Sequence, residues 1–199
     1  ESRPPLFYGR SLVEKIRACR TPQEIGSHSF SHAIFSDEGC SRAAAASELS
    51  ATRDAAREMG LDLRSFAFPR NGVGHLDLLP QFGIEAYRGP APRWYERRET
   101  PTALHRLARL WTVVTALSPP VVTPETDGTG LTNVPASMIY LPMHGLRRHF
   151  GVSCRVLRAR RGLAAAVRSG RVFHLWFHPT NLADEPEARA YRITGPEPL

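Results

Sequence analysis

The sequence predicts an α/β fold in which parallel strands alternate with helices. Three observations carry that reading. Helical and strand signals alternate along the chain; residues 64–87 read strand, short helix, strand, the outline of a βα repeat; and 199 residues with 42% hydrophobic content suffice for one buried core. One domain over residues 1–199 is therefore expected.

Taken in order, Gly9 to Cys19 reads as a short amphipathic helix, and Glu24 to Ser27 as the end of a strand. Ser41 is a good N-cap for an alanine-rich helix from Arg42 to Met59, which Gly60 stops. Arg64 to Phe68 is a short apolar strand ended by Pro69; a glycine-rich turn at Asn71 to Gly74, a short helix at Leu76 to Phe82 and a strand at Ile84 to Tyr87 follow. Thr102 to Leu117 is helical. Residues 118–133, rich in proline, threonine and glycine, read as a long loop of the kind that carries function or stays disordered. A strand at Ala136 to Leu141, a helix at Ser153 to Arg168 and a strand at Arg171 to Phe177 complete the pattern before an irregular, proline-bearing tail over 180–199.

The net charge of +7 would permit binding to nucleic acid or to an anionic glycan. Yet Lys15 is the only lysine, and abundant arginine beside alanine and proline reads as compositional bias. The densest cluster, Arg155, Arg158, Arg160, Arg161 and Arg168, falls on a predicted helix without interleaved aromatics, so no nucleic-acid partner is expected. No apolar run has the length of a membrane span and no basic-then-apolar leader opens the chain. Cys19, Cys40 and Cys154 are odd in number and widely spaced, which argues against a disulfide framework or a cysteine-ligated zinc. A cytoplasmic setting is the expectation, or an envelope-associated one if a leader has been lost.

The chemistry begins at Glu24-Ile-Gly-Ser-His28-Ser-Phe-Ser-His32. On a helical turn, residues four apart share a face, so His28 and His32 could hold one metal ion; the plainer alternative is two solvated or hydrogen-bonded side chains. Two further segments follow in order, Phe66-Ala-Phe-Pro69-Arg70-Asn71 and Val172-Phe-His174-Leu-Trp176-Phe-His178-Pro179. Together the three segments resemble the polysaccharide deacetylase family, the NodB-homology or carbohydrate esterase family four enzymes.

That resemblance implies an incomplete or distorted (β/α) barrel with its chemistry at the C-terminal strand ends, and metal-dependent N-deacetylation of an N-acetylated sugar or polysaccharide. It implies His28 and His32 as metal ligands, with zinc the expected ion, and His178 as general acid on the departing amine. The backbone N–H of Arg70 stands where the family has its oxyanion donor, and Ala67 where it has an arginine. Pro69, Asn71 and Trp176 would border the substrate, Trp176 replacing a leucine of the acetyl-methyl pocket and so narrowing it or stacking on a sugar ring. His174 reads as a hydrogen-bonded core histidine, and His178 has a purely structural alternative.

The family's metal-binding and base aspartates precede the histidine motif, and residues 1–26 contain no aspartate. An N-terminally incomplete domain is the expectation, or one that has lost the chemistry and serves as a non-catalytic glycan- or partner-binding module. Asp37 is a substitute ligand whose alternative role is a turn or capping carboxylate. Trp94 is a candidate aromatic wall for a glycan, or exposed loop packing.

Overall fold

Alanine dominates helix α2, over Arg42–Glu58, and its ends are set by the residues that flank it. The Ser41 hydroxyl accepts from Ala44 N–H at 3.2 Å, and the chain leaves the helix through Gly60, whose φ of 64° suits a residue without a Cβ. The computed structural model describes residues 9–93, 102–140, 152–178 and 181. Pro179 and the tail over 180–199, apart from Asn181, lie outside them, as does Trp94. Contacts gather into two compact units, Glu1–Ala86 and Tyr87–Leu199.

In the first unit, helix α1 spans Arg10–Arg17 and exposes most of its surface. Strand β1, Ser65–Ala67, is flanked by Ser27, which forms a single parallel bridge to Phe66: Ser27 N–H donates to Ser65 O at 2.8 Å and Ala67 N–H to Ser27 O at 2.8 Å. Beneath them lies a dry aromatic triad, Phe35, Phe66 and Phe68, each at most 2% exposed with ring centroids 4.8–5.7 Å apart. Ala45 and Leu49 of α2 are also buried. Pro69–Asn71 and Leu76–Phe82 form 3-10 turns rather than an α-helix; Pro80 inside the second lacks the N–H a regular helix would use.

Strand β2, Ala86–Gly89, leads into the second unit. There helix α3 (Ala103–Val114) and helix α4 (Val152–Ser169) accompany β3 (Glu125–Thr126), β4 (Thr132–Pro135), β5 (Met138–Ile139) and β6 (Leu175–Trp176). β5 and β6 pair in parallel, Met138 opposite Leu175 and Ile139 opposite Trp176, over a core of Met138, Tyr140 and Ala159. The predicted loop 118–133 needs correction at its end. β3 pairs antiparallel with β4 across a turn in which the Asp127 carboxylate accepts from the N–H groups of Thr129 and Leu131. Both parallel and antiparallel pairs therefore occur, and no closed barrel is seen among the described residues. No helix of the described residues is long and apolar enough to cross a membrane.

Candidate functional site

The segment between His28 and His32 is not the helical turn that its spacing predicts. Ser29 and His32 have φ of 62° and 65°, left-handed values that a helix cannot contain. What shapes the turn instead is Glu48 of α2. Its Oε2 accepts from Phe30 N–H at 3.0 Å and from Ser31 N–H at 2.8 Å, while its Oε1 accepts from the Ser31 hydroxyl at 2.7 Å. Burial alone would raise the Glu48 carboxyl, but the hydrogen bonds from Ser31, Phe30 and Ser29 outweigh it and hold the pKa below the ordinary value.

The two imidazoles nevertheless meet. Their ring centroids lie 4.9 Å apart at an interplanar angle of 76°. His28 Nδ1–H donates to the carbonyl of Ala67 at 2.5 Å, which makes Nε2 the nitrogen to offer an ion. A backbone carbonyl in that role is common behind metal-bound histidines, where it selects the tautomer and fixes the ring. The same bond ties the histidine segment to the strand that ends at Pro69.

Two histidines can offer an ion two ring nitrogens at most. Structural and catalytic zinc sites need at least one more protein donor, and among the described residues no group of three or more His, Cys, Asp or Glu side chains is placed to share an ion. Asp37 is exposed, within a tight turn where its N–H donates to Ile34 O and its carbonyl accepts from Cys40 N–H, so it does not complete a set with the histidines. The Cys40 thiol is pushed up by burial and by the charges of Glu48 and Asp37, which keeps it protonated.

Beyond Ala67 the chain turns sharply. Pro69 is buried, and Arg70 and Asn71 adopt φ of 52° and 58°, two successive left-handed residues that are not glycine. His75, also left-handed, donates through Nε2 to Cys40 O at 2.8 Å, and Asp77 pairs with Arg42 at the start of α2. Strain of this kind, of order 1 kcal/mol or more per residue, persists only where surrounding contacts enforce it and gathers at functional sites.

In the second unit, the last motif contains β6, and His178 lies just beyond that strand. His178 is exposed, its ring 5.8 Å from that of Trp176 and nearly perpendicular to it. Its carbonyl accepts from Asn181 N–H, while the Asn181 side chain reaches Tyr140 O at 2.6 Å. His174 is hydrogen-bonded, as expected: its N–H donates to the Ser137 hydroxyl oxygen and its Nδ1–H to Val134 O. Burial foremost, with the charge of Arg88, lowers its pKa and keeps it neutral.

Two residues of these arrangements escape sequence reasoning. Arg88 stacks over one face of Trp176 with its guanidinium carbon 4.1 Å from the ring centroid, and nothing in Ala86-Tyr-Arg-Gly89 announces it. Glu48 leaves a faint signal, a charged residue beside the buried stripe of Ala45, Leu49 and Ala56 on α2.

Compared with models of known families, with curated proteins and with solved structures, the chain finds no match.

Proposed function

We propose that the chain is a polysaccharide-deacetylase-like domain that hydrolyses the amide of an N-acetylated sugar or polysaccharide with a divalent metal. The observation that supports this reading is the His28 Nδ1–H to Ala67 O hydrogen bond, which joins the histidine segment to the proline segment while the rings of His28 and His32 lie 4.9 Å apart. In a fold with parallel strands, chemistry gathers where neighbouring strand ends meet, and the parallel Ser27–Phe66 bridge is such a place.

Each residue has a role in that reaction. His28 and His32 would hold the ion through one ring nitrogen each. When bound, such an ion supplies a Lewis acid for the amide carbonyl and lowers the pKa of a bound water. Nitrogen ligands make zinc the default, with cobalt, nickel and copper able to occupy the same donors in vitro. The N–H of Arg70 would donate to the oxyanion, and Pro69 and Asn71 would border the substrate. Protonation of the departing amine is the role that the resemblance gives to His178 of the second unit. A sugar stacking on Trp176 would use the face opposite Arg88. A third ligand and a base are still required. The absence of a three-donor group among the described residues favours a second reading, in which the same motifs form a non-catalytic glycan-binding module.

Acetate release from an N-acetylated oligosaccharide, measured with zinc or cobalt added, separates the two. The chain alone is expected to show little turnover; where the gene encodes further residues before Glu1, a version extended by them is expected to be active. Inactivity of the extended version together with metal-independent oligosaccharide binding would establish the second reading. Robust turnover by the chain alone would show that Asp37, Glu38 or another carboxylate supplies the missing roles.

A further inference from the structure

We infer that Glu48 is the positioning residue of the histidine pair: its carboxylate folds the segment between His28 and His32 so that both rings can meet one ion. This rests on the metal-binding reading of that pair.

An ideal helical turn would present both imidazoles on one face without help. This segment is not one. Ser29 and His32 are left-handed, and Phe30 and Ser31, which lie between the two histidines, give their N–H groups to a side chain instead of to a helical ladder. One carboxylate accepts both of those N–H groups at 3.0 and 2.8 Å and the Ser31 hydroxyl at 2.7 Å. These partners are backbone amides and hydroxyls rather than a cation, so the carboxylate acts here as a template for a turn. It stands on α2, whose Ala45 and Leu49 are buried, and so the template is itself anchored. Ala67 O fixes the rotation of one ring, and Glu48 fixes the backbone between the two. Restraints of this kind behind metal ligands commonly contribute strongly to affinity.

Positioning and simple charge attraction make opposite forecasts for two variants. Glu48→Gln keeps the reach: its amide oxygen can accept both N–H groups and its NH2 can donate to the Ser31 hydroxyl, while the charge is gone. Glu48→Asp keeps the charge but is one methylene too short to bond both amides. Nickel(II) titration of the full chain is expected to give Glu48→Gln an affinity within about threefold of the parent, whereas Glu48→Asp weakens it by about tenfold or more. The reverse order, or equal affinities for the two variants, would overturn the inference.

A His28→Ala/His32→Ala double variant guards the underlying reading. If it binds nickel as well as the parent does, the metal assignment fails. The positioning claim is then judged on the metal-free chain, where imidazole NMR resonances of His28 and His32 should move in Glu48→Asp and stay in place in Glu48→Gln. Unmoved resonances in Glu48→Asp would refute it.

Discussion

Among the described residues of the first unit, five that are not glycine, Ser29, His32, Arg70, Asn71 and His75, hold left-handed φ, and all of them lie in or just beyond the two segments that meet at the His28–Ala67 hydrogen bond. Glu48 is the side chain that makes the first of these turns tenable. Because its hydrogen bonds hold its carboxyl below the ordinary value, its contribution to stability is fully present above the unfolded pKa of about 4.3 and disappears as pH falls through the lower folded one. Urea unfolding between pH 7 and pH 3 should therefore show the parent losing more stability on the acid side than Glu48→Gln; parallel curves would mean that the folded carboxyl is not held low. His174 titrates in the same sense, since burial depresses its pKa, and it should remain neutral by NMR at pH 7.

At the scale of elements, local signals were legible wherever a regular ladder carries them. α2 was expected over Arg42 to Met59 and is found over Arg42–Glu58, because alanine propensity, a serine cap and a terminal glycine all agree. Ser41→Ala should cost about 1 kcal/mol in thermal or urea unfolding. The histidine segment departs from the helical expectation for a corresponding reason: spacing alone cannot reveal that a glutamate 17 and 18 residues beyond Ser31 and Phe30 will capture their amides. The turn after Pro69 is equally dependent on its neighbours. A Cβ at Gly74 would fall 2.2 Å from Phe35 O, a backbone atom held beside the aromatic triad. Gly74→Ala should then cost about 2–3 kcal/mol, an overpacking penalty, and should broaden the His75 resonances as the turn shifts. Unchanged stability would show that the 35–36 backbone yields freely.

Over the whole molecule, the charge of +7 invites a polyanion; of the densest arginine cluster, two members are withdrawn from solvent in the second unit, while Arg160, Arg161 and Arg168 are exposed. Arg155 and Arg158 are buried; Arg158 Nε donates to Leu117 O at 3.2 Å and Arg161 to Ala116 O at 2.6 Å, closing the carbonyls left open after α3. Arg161→Ala should destabilise the chain by about 1–2 kcal/mol, and heparin or DNA binding should change little. A loss of polyanion affinity without a loss of stability would return the cluster to a binding role. On the proposed reading, in any version that turns over, His178→Ala should abolish most acetate release while metal content, read by elemental analysis, stays intact, since the role proposed for it is proton donation rather than ligation.

What the sequence determined by itself is whatever depends on near neighbours: the alternation of helices and strands, the capping and end of α2, the strand that Pro69 terminates, and the residue types at the histidine, proline and final motifs. The tertiary structure alone decided which atoms meet. It set Glu48 beneath the histidine turn, Ala67 O behind His28, and Arg88 over Trp176. Each of those contacts joins residues far apart in the chain, and their energies depend on geometry that no local pattern encodes, because a carboxylate or carbonyl accepts from any donor that packing brings within reach.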